Sequence, residues 1–262
     1  LFFFALLGHM RFATIITMPD TRTHRGAGPQ DGKLFAAGTV RILKSAVDDY
    51  SLLLTKGYAE TSSLKLVGDR FELNQRQRIA VMRCACSDQQ SQLRREHQID
   101  IKAAAGKALA IDGYNVLITI EAALAGAPIF VARDGCCRDI CGLHGTYRKV
   151  QETIPAAELI GDFFAELAPS KIQWYFDSPV SNSGRLKVML LELAERNKWN
   201  WQIELSLNPD KALLATEDII ATSDSIILDD CKQWLNLSAE IISAKIRDTW
   251  LINLSNQGEQ ND

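Results

Sequence analysis

Short apolar runs recur through the second half of the chain, and three of them end on an acid. Lys107 to Glu121 reads KALAIDGYNVLITIE: an apolar run from Ala108 to Ile111 meets Asp112, then Gly113, Tyr114 and Asn115, then a second apolar run. Lys171 to Asp177 reads KIQWYFD, and Glu217 to Asp224 reads EDIIATSD. A continuous apolar run closed by a polar turn is the pattern of a strand buried on both faces of a parallel sheet. Pro128 to Ala132 and Trp201 to Leu205 read as further strands, and the strand of the third acid-ending stretch runs from Ile219 to Thr222. Helical spacing fills the gaps: Leu117 to Leu124, a helix from Pro155 to about Leu167, Leu186 to Arg196, a short helix opened by Asp210, and another from Ile226. Strands alternating with helices at these spacings predict an α/β fold, with a mostly parallel sheet flanked by helices.

The pattern before residue 107 differs. Residues 1–10, LFFFALLGHM, are too short to span a bilayer and lack a basic segment or a small-residue cleavage site. They read as sequence upstream of a start at Met10 or Met18, so residues 1–18 are taken as a non-native or disordered extension. Residues 19–34 read as an arm rich in Gly, Pro and charge. Helices are expected over Leu34 to Gly57, over Ser62 to Val67 with Gly68 as a break, and from Gln75 to about Cys86 behind Asn74 as N-cap. Residues 88–106 are polar, then Ala-rich, and end at Gly106. The expected organisation is a small mainly helical domain at 19–106, an α/β domain at 107–255 and a polar tail at 256–262.

Charge sharpens this division. Residues 20–107 carry 15 Lys or Arg against 10 acids, whereas residues 108–262 carry 13 against 22. A basic helical part beside an acidic part suits a polyanionic substrate, with Arg70, Arg76, Arg78, Arg83, Arg94 and Arg95 as phosphate contacts. An ordinary solvated helical face is the competing reading. The six cysteines show no secretory context, so reduced thiols in a cytoplasmic protein are expected, with no membrane partner.

The acids carry the candidate chemistry. Ligands of open α/β sheets sit at the carboxyl ends of strands, where Asp112, Asp177 and Asp224 are expected. Gathered carboxylates repel one another unless a cation neutralises them, and their oxygens suit Mg2+ or Mn2+. A helix cap is the alternative use of such an acid. Beside Asp177, Ser178, Ser181, Asn182 and Ser183 offer small donors and Arg185 a positive charge that together would grip a phosphate. Arg148 and Lys149 are further phosphate contacts, and His144 is the histidine of this part of the chain. No Gly-rich nucleotide loop, Walker motif or nucleophile elbow is present.

IDGYN at 111–115 resembles the opening motif of the NYN domains within the PIN-like nuclease superfamily, and ATSDSII at 221–227 resembles their late T-x-D segment. The chain as a whole resembles a bacterial and archaeal family of unknown function that joins a helical N-terminal domain to a PIN-like domain. The matching stretches are RGAGPQD (25–31), LVGDRFELNQRQR (66–78), IDGYNVLITIE (111–121) and FDSPVSNSGRL (176–186). The resemblance implies a divalent-metal-dependent ribonuclease, with RNA as partner; a homo-oligomer is left open. It implies Asp112 as the first metal acid, Asn115 as its oriented neighbour, and Asp177, Asp210 and Asp224 as the remaining acids. The DSPVSNSGR loop is longer and more polar than the usual PIN segment. The alternatives are a non-catalytic RNA- or protein-binding module on the same fold, and a small-molecule phosphohydrolase using the same acids.

Overall fold

The computed structural model of the protein describes residues 23–142 and 145–255. The expected extension at 1–18, the tail at 256–262 and His144 lie outside the described residues.

The N-terminal part is helical. A short helix α1 (Asp31–Leu34) precedes α2 (Ala37–Thr55), which buries Leu43, Val47 and Tyr50. Helix α3 (Glu60–Arg70) runs straight through Gly68, where a break was expected. A β-carbon at Gly68 would lie 2.2 Å from Arg78 Nη1, so the glycine makes room for a guanidinium packed across the helix. Helix α4 (Gln75–Cys84) starts at the expected cap: Asn74 Oδ1 accepts from the Gln77 N–H, and the Gln77 side chain accepts from the Asn74 N–H. Helix α5 (Asp88–His97) was not expected, although Ser87 and Gln90 form a second capping box. Its buried residues are Ser91 and Arg94, so it shows no apolar stripe.

The α/β part follows as β1 (Ala108–Asp112), α6 (Gly113–Leu124), β2 (Ile129–Val131), β3 (Cys137–Arg138), α7 (Thr153–Leu167), β4 (Lys171–Asp177), α8 (Ser183–Asn197), β5 (Trp201–Ser206), α9 (Pro209–Leu214), β6 (Ile219–Ala221), α10 (Ser225–Asp230), β7 (Trp234–Leu235), α11 (Leu237–Lys245) and β8 (Leu251–Asn253). Five strands form one parallel sheet in the order β5-β4-β1-β6-β7. The mostly parallel sheet flanked by helices is as expected. Alternation along the strands assigns its two faces. Leu109, Ile111, Trp174 and Ala221 pack with α6, α7, α8 and α11, whereas Ala110 and Ile220 pack with Leu213, Ile227, Leu228 and Trp234 on the other face.

The strand expected at 128–132 belongs elsewhere. β2 pairs antiparallel with β3 and parallel with β8 in a separate small sheet. Ile129 packs into the main core, and Phe130 into a second core with Leu43, Val47 and Val81 of the helical part. Both faces of β2 are buried, so it reads like a central parallel strand without being one.

A buried ion pair pins the chain ahead of α1. Arg25 Nε donates to Glu121 of α6, which is fully buried. Glu121 also accepts from Tyr147 Oη at 2.5 Å and Thr153 Oγ1 at 2.6 Å. Arg25 and Glu121 come from two of the four stretches that carry the family resemblance, and their role is to join arm to core. All six cysteines are buried and unbridged; burial pushes the Cys84 thiol up to about 12 and Cys231 to about 11. Among the described residues, no helix is long and apolar enough to cross a membrane.

Candidate functional site

The acids named from the sequence meet at one edge of the parallel sheet because the strands that precede them run the same way. Asp112 closes β1 opposite Tyr175, so β4 extends two residues further and ends on Asp177. Ile111 lies opposite Ala221, the last residue of β6, and Asp224 follows as the N-cap of α10. Asp210 lies in the first turn of α9, which starts after β5. Gly113 is required at this edge, because a β-carbon there would lie 2.4 Å from the Phe176 ring.

Hydrogen bonds fix the central part. Thr222 Oγ1 accepts from the Asp224 N–H at 3.0 Å and donates to Asp112 Oδ2 at 2.7 Å. Asn115, in the first turn of α6, accepts at Oδ1 from the N–H and Oγ of Ser223, at 2.8 and 2.9 Å. Ser223 N–H is only a donor, so the Asn115 oxygen faces it, and the amide nitrogen has no partner among the described residues. Asp224 Oδ1 accepts from the Ile226 N–H at 2.9 Å. Asp224 therefore caps a helix, as the alternative reading had it, with its second oxygen left over.

The acids act on one another. Burial pushes Asp112 up to about 7; the Thr222 hydrogen bond opposes this, while the charges of Asp224 and Asp210 add to it. Burial and then Asp210 raise Asp177, and burial and then Asp224 raise Asp210. Among the described residues, however, no group of three or more His, Cys, Asp or Glu side chains is arranged to hold a metal ion.

The DSPVSNSGR loop divides. Ser183 is buried and its hydroxyl donates to Ser178 O at 3.3 Å, so these two serve the loop itself. The Ser181 backbone bridges to Thr146. Asn182 and Arg185 line a recess with Arg148 whose lining includes none of the acids. Most of the helical arginines named as phosphate contacts are paired with acids of the same chain, several of them at the surface. Arg70 pairs with Asp49, Arg76 with Asp31, Arg78 with Asp69 and Arg83 with Asp139, and Arg94 is buried; Arg95 is exposed without an ion-pair partner among the described residues.

Arg94 belongs to a cluster that the sequence did not disclose. Asp134 accepts two bonds from Arg138, at 2.8 and 2.7 Å, and one from Arg94 at 2.6 Å. Burial raises the Asp134 carboxyl, but the two guanidiniums outweigh it and hold the group far below the usual carboxylate range. Asp134 ends a strand like the other acids, yet it is a structural anion. The same arginines reach Asp224's neighbours: Arg138 Nε donates to Ser223 O at 2.8 Å and Arg94 Nη2 to Ser225 O at 3.3 Å. The sequence signal was the strand-ending Asp134 with Arg138 four residues on; nothing local pointed to Arg94. A cavity of about 250 Å³ opens here between the helical part and the sheet edge, lined by Arg83, Gln90, Arg94, Asn115, Arg138 and Asp224 among others.

Comparison with known proteins matches both parts. Residues 42–97 match a family described as Protein of unknown function (DUF434). A relative from Methanocaldococcus jannaschii, Uncharacterized protein MJ0935, is 28% identical over 202 residues, covering 76% of this chain and 96% of the relative. No solved structure matches the chain with significance. Residues 101–240, more than half of the chain, match the family described as Domain of unknown function (DUF5616), and the chain belongs to that family.

Proposed function

We propose that the protein is a divalent-metal-dependent ribonuclease of the PIN-like type, hydrolysing phosphodiester bonds in RNA at the Asp112 edge of the parallel sheet. The observation that carries this reading is the placement of Asp112, which closes β1 at the sheet edge and is tied through Thr222 to the turn that carries Asp224. The Asp112 carboxyl is pushed up to about 7 by burial, with Asp224 and Asp210 adding to the effect. Ionising such a group is unfavourable until a cation compensates it. The donor set fits Mg2+ or Mn2+, which prefer carboxylate oxygens. Mg2+ usually keeps several waters and takes one or two carboxylates, a mode that needs no closed set of three side chains. When bound, such an ion orients a water, lowers its pKa and neutralises charge at phosphorus.

The chain's own groups prepare this edge. Thr222 holds Asp112 by Oδ2, and the backbone of Asn115 also supports the carboxylate. Ile226 occupies Asp224 Oδ1 and leaves Oδ2. Ser223 turns the Asn115 amide so that its nitrogen is the free donor, suited to a phosphate oxygen. Asp177 and Asp210 extend the negative edge on the β4 and β5 side.

The purified chain should cleave single-stranded or structured RNA when Mn2+ or Mg2+ is added and stop with EDTA, and Asp112→Asn should abolish turnover. Cleavage by Asp112→Asn as fast as by the parent would place the activity at another site. The non-catalytic alternative draws on the absence, among the described residues, of three side chains arranged around one ion. RNA binding without cleavage across a broad substrate panel would select it.

A further inference from the structure

The loop that leaves Asp177 leads to a second feature. Between β4 and α8 it is tied to the segment 145–150: Ser181 N–H donates to Gly145 O and Tyr147 N–H to Ser181 O, both at 3.1 Å, and Asn182 Nδ2 donates to Tyr147 O at 2.9 Å. Beside these bonds lies a recess of about 250 Å³, lined by Arg148, Lys149, Asn182, Arg185, Leu186 and Met189 together with Tyr147. Three of the lining residues are cations and none is an acid.

That composition runs against its surroundings. Residues 108–262 carry 22 acids and only 13 Lys or Arg. Many of those cations are matched: Arg138 pairs with Asp134, Lys171 with Asp218, Lys232 with Glu217 and Lys245 with Glu166. Lys149 and Arg185, both exposed, have no ion-pair or hydrogen-bond partner among the described residues. Lys149 and Arg185, unmatched at one recess, repel one another until an anion compensates them. Guanidinium and ammonium groups together match the several oxygens of a phosphate. Asn182 has a left-handed backbone, φ 72°, and does not cap α8 with its side chain. The positive end of that 15-residue helix therefore adds to the same field. Leu186 and Met189 supply an apolar wall for the group that carries the phosphate.

We infer that this recess is a phosphate-binding subsite, and that it takes a phosphate group of the RNA strand whose cleaved bond lies at the Asp112 edge. It depends on the ribonuclease reading only for the identity of the strand. Asp177 and Asn182 are five residues apart, so their Cα atoms lie within about 17 Å. One strand can therefore engage both places.

The test uses the full chain in EDTA, so that binding is read without cleavage. Short single-stranded RNAs with a 5′-phosphate or a 5′-hydroxyl, labelled at the 3′ end, are titrated by fluorescence anisotropy between about 50 and 200 mM KCl. Lys149→Gln and Arg185→Gln should each weaken binding and flatten the log Kd against log salt slope by about 0.7, with unchanged melting temperatures. Arg247→Gln, an exposed and unpaired cation elsewhere, should leave the slope unchanged. A preference for the 5′-phosphate that disappears in Arg185→Gln assigns the recess to a strand end; an equal loss for both RNAs assigns it to an internal phosphodiester. Both outcomes support the subsite. A parent that binds no RNA is titrated with inorganic phosphate by NMR. Shifts at Lys149 and Arg185 that disappear in the variants keep the subsite and remove the RNA strand. Variants that match the parent in affinity and slope, or no response to either probe, overturn the inference. Failure of the nuclease reading shows separately, in the metal-dependent cleavage assay of Asp112→Asn.

Discussion

Replacing Asp112 by Asn should stabilise the metal-free protein, and the gain should grow with pH. In the fold the carboxyl is pushed up to about 7, against about 3.9 for an aspartate in an unfolded chain. Between about pH 4 and 7 the folded chain thus holds a proton that the unfolded chain has released. Stability falls as pH rises through that window, and the full penalty is present above about pH 7. At about 1.4 kcal/mol per pH unit, that difference sets an upper figure near 4 kcal/mol. The residue is only half-buried and the neighbouring Asp210 is exposed, so solvent screens part of this, and about 1–3 kcal/mol is expected. Asn keeps the shape and the acceptor for Thr222 Oγ1. For a chain of this size the gain corresponds to about 3–10 °C in Tm. Thermal unfolding of both proteins from pH 5 to pH 8 in EDTA should show the gap widening with pH. Mn2+ should then stabilise the parent alone, by about 2.7 kcal/mol at about 100 times its Kd, and leave the variant unchanged. A gap that does not vary with pH refutes the raised carboxyl. An equal Mn2+ shift in both proteins removes Asp112 from the ion's site.

Two further changes test the scaffold of the edge. Asp134→Ala leaves Arg94 and Arg138 buried without their shared carboxylate and should cost about 3–5 kcal/mol, read as a lower urea midpoint at unchanged slope; a loss below about 1 kcal/mol would refute the cluster's role. Because the folded Asp134 is depressed, its contribution is present above about pH 4 and is lost as pH falls towards the folded value, so the variant should narrow its deficit in acid. Gly113→Ala drives a methyl into the Phe176 ring and should cost about 1–3 kcal/mol by thermal melt.

The acids at strand ends were legible because a buried parallel strand is nearly all apolar and its first polar residue marks the sheet edge. What the sequence leaves open is which strand ends become neighbours. Asp112 and Thr222 are 110 residues apart, and only the β4-β1-β6 order brings them together. Helix α5 was hidden because its core-facing residues are Ser91 and Arg94. β2 was legible as a strand but not as a member of the small sheet, because Ile129 and Phe130 serve two different cores. In each case the missing information was the identity of the facing surface, which no local pattern contains.

The arginines show how this changes the functional picture. Counted along the chain, the helical part looks like a basic surface waiting for phosphate. In the fold Arg70, Arg76, Arg78 and Arg83 answer acids of the same molecule. Arg94, buried, crosses to Asp134 and Asp229 and reaches Ser225 O. The helical part therefore acts on the candidate site as a brace: it fixes the carbonyl of Ser225, while Arg138 fixes that of Ser223, and Asp224 is held between them. If the protein binds RNA, cations the fold leaves unmatched are the ones ready to answer its phosphates, Arg95 of the helical part among them. Lys149 and Arg185 are such cations, and they line a recess without acids at the far end of the loop that begins at Asp177. That places the positive charge of an otherwise acidic region along the path an RNA strand would take to the carboxylates.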